Sequence, residues 1–362
     1  MRVRKAYIVV LILALLIANE SSPLLLRPAS ANLLFLIPLG LEILKLLDFG
    51  TISKVLDLLI SFLSAHGGRI RTGTVVKGLS TVKRYFDLFG FLESTLSPNF
   101  TDEFSDDLES AIKYFQKTFH LNVTGQPDNT TVSLIKRPRC GLPDIINGSS
   151  NVLMNHTAAT ASFTKWWPEG KKELTYAFSP QNETGLLLKD TFADAFRRWS
   201  EVTRLNFTET TSFNESDIQI MFLSLDGNLG VVGGAWLDNT TRNWDVVLDS
   251  SEKWVWRSDN TTESDEMDME SVVMHQIGHV LGLNHSAVEE AVMYPFISPS
   301  NKRKVDFAND DLEKIRKLYS EKSNSSELSP ANSPSPDDKV VAGVGHRWGP
   351  VSTLWLGIIL LF

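Results

Sequence analysis

Residues 275 to 285 read His-Gln-Ile-Gly-His-Val-Leu-Gly-Leu-Asn-His, and no other run constrains the chain so tightly. Val272, Val273, Ile277, Val280 and Leu281 give an apolar pattern that predicts a buried helix from about Ser271 to Leu281. Residues four apart share one face of a helix, so His275 and His279 can aim their imidazoles at a single ion. Gly282 supplies the backbone freedom to turn away from the helix. That turn would return His285 as a third nitrogen ligand. Three protein ligands, with a fourth position left to water or substrate, make the arrangement of a catalytic zinc. The competing reading is three ordinary histidines, packed or solvated. The chain has seven histidines in all, and three fall here around a correctly placed glycine, which favours the metal.

Gly282 and Met293 also stand where the extended metzincin pattern and its Met-turn have them. Upstream, Pro138-Arg139-Cys140-Gly141-Leu142-Pro143-Asp144 contains the single cysteine of the chain. An unpaired thiol in a chain with an export signal needs an explanation, because it cannot form an internal disulfide. Together the two runs resemble a matrix metalloproteinase (matrixin), of the short plant type without a haemopexin domain. The resemblance covers residues 75–145 and 165–320. It implies a zymogen in which the Cys140 thiolate takes the fourth zinc position and Arg139 pairs with Asp144 to shape the segment. Thiolate is a good zinc ligand, and the ion depresses the thiol's pKa. It also implies that Met293, Tyr294 and Pro295 form the base and wall of the pocket beside the zinc.

The second position of the frame departs from the family. A glutamate there takes a proton from zinc-bound water and later delivers it to the leaving amine. Gln276 is nearly isosteric and can hydrogen-bond the water, but it cannot accept a proton. Because glutamate is not a ligand, the substitution leaves metal binding intact. Loss of a positioned general base typically costs on the order of 10²–10⁴ in rate. Glu289 and Glu290 follow shortly after, without any pattern that aims them at the metal.

A second departure lies between Leu223 and Trp254, a segment without histidine. Matrixins carry a structural zinc here, and Gly234 and Val247 align with two of its missing ligands. One zinc site per chain is expected. Asp249 and Glu252 survive from a stretch that binds calcium in relatives, so a weakened calcium site competes with ordinary solvated surface. Gly230 to Trp236 aligns with the edge strand that grips an extended peptide by strand addition.

With 362 residues, 43% hydrophobic and 22% charged, the chain can hold more than one domain. Net charge is −8, with no basic tract that would point to nucleic acid. Arg2, Arg4 and Lys5 precede a continuous apolar run from Ala6 to Ala18, a secretory signal pattern too short to span a bilayer. Cleavage could follow Ala29-Ser30-Ala31 or fall near Ala18. About a dozen Asn-x-Ser/Thr sites, among them Asn99, Asn122, Asn129, Asn206, Asn214, Asn239 and Asn260, agree with export. Asn284, inside the frame, is another.

The expected organisation is a signal peptide over 1–31, a propeptide over 32–150, a zinc domain over 151–320, a Ser/Pro/Asn-rich stalk over 321–345 and a GPI-attachment signal over 346–362. In the propeptide, Leu79 to Phe89 and Phe104 to Phe119 have helical spacing, and Asp128 starts a third helix. This resembles the peptidoglycan-binding-like prodomain of matrixins. The apolar stretch Leu33 to Leu63 yields no assignable element. In the zinc domain, Glu173–Phe178 and Asp217–Phe222 read as strands, Leu187–Trp199 as a long helix and Asp310–Leu318 as the closing helix. The fold expected is α/β, a metzincin domain with a twisted, mostly parallel sheet and long helices behind a small all-α propeptide domain.

Three functions remain open on the sequence. One is a catalytically impaired, zinc- and peptide-binding regulator or decoy at the cell surface, monomeric and GPI-anchored. Another is an active zinc endopeptidase cleaving extracellular proteins. The third is a metal-free glycoprotein scaffold.

Overall fold

The computed structural model describes residues 47–92, 99–146, 149–150, 167–168, 170–181, 185–238, 241–256, 265–297 and 303–319. Two units divide the chain, residues 1–320 and 321–362. The second unit, with the expected stalk and GPI signal, lies outside the described residues, as do the signal peptide and the sequons at Asn239 and Asn260. Among the described residues no helix is long and apolar enough to cross a membrane.

Among the described residues the first unit begins with four helices. Helix α1, Phe49–Ala65, is N-capped by Asp48, whose carboxylate accepts from Thr51 N at 2.9 Å. It buries Phe49, Ile52, Val55, Leu56, Leu59 and Leu63, a single stripe at helical spacing. This helix lies in the stretch Leu33 to Leu63, to which the sequence reading assigned no element. Next come α2, Leu79–Leu88, α3, Asp106–Thr118, and α4, Asn129–Ile135. Ser105 and Asp128 cap α3 and α4 by accepting from Leu108 N and Thr131 N. Gly78 precedes α2 at φ 90°, and a Cβ there would lie 2.6 Å from Val55 Cγ2. Only glycine allows α1 and α2 to approach so closely.

Beyond the helices the chain forms β1, Arg139–Cys140, and a short pairing of β2, Ile145–Ile146, with β3, Ser149–Ser150. Then follow β4, Glu173–Phe178; helix α5, Leu186–Thr203; β5, Asn206–Glu209; β6, Ile218–Leu223; β7, Val231–Leu237; and β8, Trp244–Asp249. The short β9, Lys253–Val255, pairs with β10, Glu266–Asp268, ahead of helix α6, Met269–Val280. Helix α7, Asn309–Tyr319, closes the described chain.

Six strands form one sheet in the order β1-β7-β8-β6-β4-β5. Every pairing in it is parallel except β7 with β8, which is antiparallel. Trp244, Val246 and Leu248 of β8 share a core with Phe192, Phe196 and Trp199 of α5 and Val272, Val273 and Ile277 of α6. Val247 alternates to the opposite side and belongs to the core of the four N-terminal helices, which continues through Tyr294 and Phe296. Asp268 caps α6 by accepting from Ser271 N at 2.8 Å, which starts the helix at Met269, two residues before the periodicity predicts. Helix α5 likewise extends four residues past Trp199, ending where Arg204 adopts φ 60°.

The stripe on α1 makes it part of the core. Leu56→Ala, at a fully buried site, should cost about 2–5 kcal/mol in urea unfolding. A cost below about 1 kcal/mol would mean that α1 is not packed this way.

Candidate metal centre

Helix α6 and the turn after it bring three imidazoles together. Ligand atoms of Cys140, His275, His279 and His285 all lie within 4.8 Å of one another, and all four residues are buried. Each ring is fixed from behind. His275 Nδ1 donates to Val292 O at 2.8 Å, His279 Nδ1 to Leu283 O at 2.8 Å, and His285 Nδ1 meets Asp144 Oδ1 at 2.7 Å. A proton on Nδ1 leaves Nε2 as a bare lone pair in each ring. Burial, then repulsion among neighbouring charges, holds all three pKa values well below the usual imidazole value, so the rings are neutral.

This arrangement lacks something the protein does not supply. His275 Nε2 and His279 Nε2, both acceptors, face each other at 3.0 Å, and His285 Nε2 has no hydrogen-bond partner. Buried lone pairs without a donor are costly. A cation at their centre satisfies all three. Cys140 Sγ completes the set at 3.6 Å from His279 Nε2. Tetrahedral zinc spaces neighbouring N and S ligands by about 3.3–3.6 Å, a spacing that lies inside the range of 3.0 to 4.8 Å over which these donors stand, and their N and S chemistry suits the ion. Without a cation, burial pushes the Cys140 thiol up to about 11; a divalent ion acts in the opposite sense.

Cys140 is delivered by β1, which is pinned on both sides. Arg139 N donates to Gly230 O at 2.9 Å and Gly141 N to Gly233 O at 2.8 Å, on the β7 side. Opposite, Cys140 N donates to Pro295 O at 2.9 Å and Ile297 N to Pro138 O at 2.7 Å. Arg139 is fully buried. Its guanidinium donates to Asp144 Oδ2 at 2.7 Å and Tyr85 Oη at 3.1 Å, and lies 3.5 Å from the Phe89 ring centroid. Asp144 therefore joins the Cys140 segment to His285. Burial raises its carboxyl to about 6, opposed by Arg139.

Beneath the rings, Met293 packs against α6 so closely that a Cβ on Gly278 would fall 2.2 Å from its Sδ. Asp311 of α7, fully buried, accepts from Val292 N and Met293 N at 2.9 and 3.2 Å and so fixes this turn. Tyr294 turns toward the N-terminal helices, 6.0 Å from Phe119 between ring centroids, while the Pro295 carbonyl grips β1. Sequence reasoning missed Phe296. It is fully buried and packs edge-on against Phe119 and Phe115 at 5.0 and 6.1 Å. Asp311 was passed over too, because one acid in a closing helix has no distinguishing pattern.

Gln276 occupies the general-base position, with its Nε2 3.5 Å from Cys140 Sγ. Among the described residues the four-residue ligand group includes no carboxylate. Glu289 lies elsewhere, exposed and paired with Arg137 at 2.8 Å.

At the second-site position, Gly234 and Val247 are register partners across β7 and β8. The Trp236 indole covers Gly234, where a Cβ would lie 2.2 Å from the ring. An apolar plug thus fills the place that the alignment gives to ligands. Asp249 and Glu252 are buried, not solvated surface, and they come together with Asp226, which the sequence reading missed although Asp226-Gly227 and Gly230 mark a tight loop. Glu252 accepts from Leu229 N at 3.0 Å, Asp226 from Val231 N at 3.1 Å, and Asp249 from Ser251 N at 2.7 Å. Burial, with mutual repulsion, lifts Asp226 to about 8 and Glu252 to about 7.

A matrixin family model matches residues 165–320, and a model described as a peptidoglycan binding domain matches residues 77–135. Metalloendoproteinase 2-MMP of Arabidopsis thaliana is 38% identical over 320 residues, 81% of this chain and 82% of the relative. Metalloendoproteinase 1 of Glycine max is 41% identical over 260 residues, 68% of this chain and 83% of its own. Human matrix metalloproteinase-16 is 29% identical over 256 residues, 66% of this chain and 41% of its own. The fold and histidine centre are those of a zinc metalloendopeptidase. The chain belongs to the matrixin family, beside the metalloendoproteinases of plants.

Gly278→Ala should force Met293 or α6 to move, lowering stability by about 1–3 kcal/mol and loosening the metal. Thermal unfolding and zinc content measure this. A variant as stable and as zinc-rich as wild type would contradict the packing described.

Proposed function

We propose that this chain is a matrixin-like zinc protein in which catalysis is impaired, and that it binds zinc and extended peptides as a regulator or decoy outside the cell. The observation that carries the reading is the Gln276 carboxamide beside Cys140 Sγ, which itself groups with the three imidazoles, at the place where the chemistry needs a proton acceptor. When bound, zinc would polarise a carbonyl and acidify water. His275, His279 and His285 would hold it, and Gln276 could orient a water without taking its proton. The backbone grip that Gly230, Gly233 and Pro295 exert on β1 supports an extended peptide as ligand.

A second reading, a working endopeptidase made as a cysteine-switch zymogen, is favoured by the complete histidine set, Met293 and the strand-held Cys140. Peptide hydrolysis separates the two, after proteolytic removal of the N-terminal helices. On the first reading, Gln276→Glu raises turnover by about 10²–10⁴. Equal turnover by both proteins would establish the second. A metal-free scaffold is disfavoured by the three facing lone pairs.

The plug of Trp236 over Gly234 supports a single zinc per chain. Elemental analysis should give about one zinc, falling to near zero in His279→Ala; two zincs in wild type would refute the single site. Asp226, Asp249 and Glu252 are proposed as a calcium site, since a cation would offset their mutual repulsion. Calcium should then raise the unfolding temperature, and Asp249→Ala should abolish the rise.

The basic, then apolar, N-terminus and the sequons support export, and the apolar C-terminus supports a GPI anchor on a monomer. Release from intact cells by a phosphatidylinositol-specific phospholipase tests the anchor.

A further inference from the structure

Among the buried polar groups of the centre, the Gln276 carboxamide is neither a ligand nor attached to the back of one. Its hydrogen-bond partner is the switch cysteine: Nε2 stands 3.5 Å from Cys140 Sγ, and Sγ stands 3.9 Å from Oε1. Leu142 N also donates to the sulfur, at 3.5 Å. The sulfur thus faces the imidazole cluster on one side and N–H donors on the other.

We propose that Gln276 is a positioning residue of the latch, donating an N–H to the Cys140 sulfur and so holding that sulfur on the metal. The inference rests on the zinc reading above and goes beyond it, since it assigns the amide a role in the closed state and not merely a lost role in catalysis. A thiolate accepts hydrogen bonds, and N–H donors stabilise it in a dry site. A glutamate in the same place has no donor when ionised. It would set a second negative group against the sulfur at hydrogen-bond distance, in a site fully screened from water. The amide reverses that contact from repulsive to attractive. The same change that removes the proton acceptor therefore tightens the latch. Gln276 itself is wholly buried, so solvent does not compete for its N–H.

The test is the rate at which iodoacetamide alkylates Cys140 in the full-length, zinc-loaded chain, followed by mass, with zinc content measured on the same samples. Gln276→Glu should react about tenfold to a hundredfold faster than wild type. Gln276→Leu, which keeps the packing and removes the donor without adding charge, should fall between the two and guards against a glutamate variant that fails to fold. Zinc retained in all three proteins with equal rates would overturn the proposal. So would a leucine variant as slow as wild type. A wild-type chain holding no zinc overturns this proposal together with the zinc reading, whereas equal rates with zinc present overturn the latch alone.

Discussion

Three unprotonated imidazole nitrogens point at one another inside a dry interior, and the rest of the structure serves to keep them there. Left alone they repel, because each offers a lone pair and none offers a proton. The protein secures the unfavourable geometry from outside the cluster. Val292 and Leu283 carbonyls and the Asp144 carboxylate take the outward protons, and Asp311 fixes the turn that carries Val292. Such preorganisation has a purpose only if a cation completes it. The sheet contributes by positioning β7, and α5 by receiving α6 through Trp199, whose Nε1 donates to Met274 O at 3.0 Å.

The Cys140 segment is joined to this centre by one buried ionic path. Tyr85 on α2 holds Arg139, Arg139 holds Asp144, and Asp144 holds His285. A fully buried ion pair is worth little against an apolar substitute, yet losing one partner leaves an unpaired charge costing about 3–5 kcal/mol. The path is therefore sensitive to breakage at any step. Disturbing the N-terminal helices therefore disturbs His285, without any large motion between them.

How much of this was legible in sequence depended on how local the cause was. The histidine set lies on one helix and one turn, so spacing alone assembled it. Cys140 and its neighbours form a short run whose resemblance was specific. Gly234 and Val247 were aligned from sequence with two ligand positions of the family, but the Trp236 contact over Gly234 could not be foreseen, because it depends on an indole folding back along its own strand. Helix α1 escaped because the strongly apolar start of residues 33–63 drew the whole stretch into one reading, although Phe49, Ile52, Val55, Leu56, Leu59 and Leu63 do fall at helical spacing between polar residues. Asp226 and Phe296 matter through partners more than twenty residues away, which no window reads.

Two local contacts of this chain hold without an ion. Between β7 and β8, Gly234 faces Val247 and is covered by the Trp236 indole, a packing contact that depends on no metal. Beside the Cys140 sulfur, the Gln276 amide offers an N–H and holds a contact, where a carboxylate would instead accept a proton. The aromatic contact of Phe296 and Tyr294 with Phe115 and Phe119 holds the N-terminal helices against the turn after α6, because separating them would expose rings that are buried while they are packed.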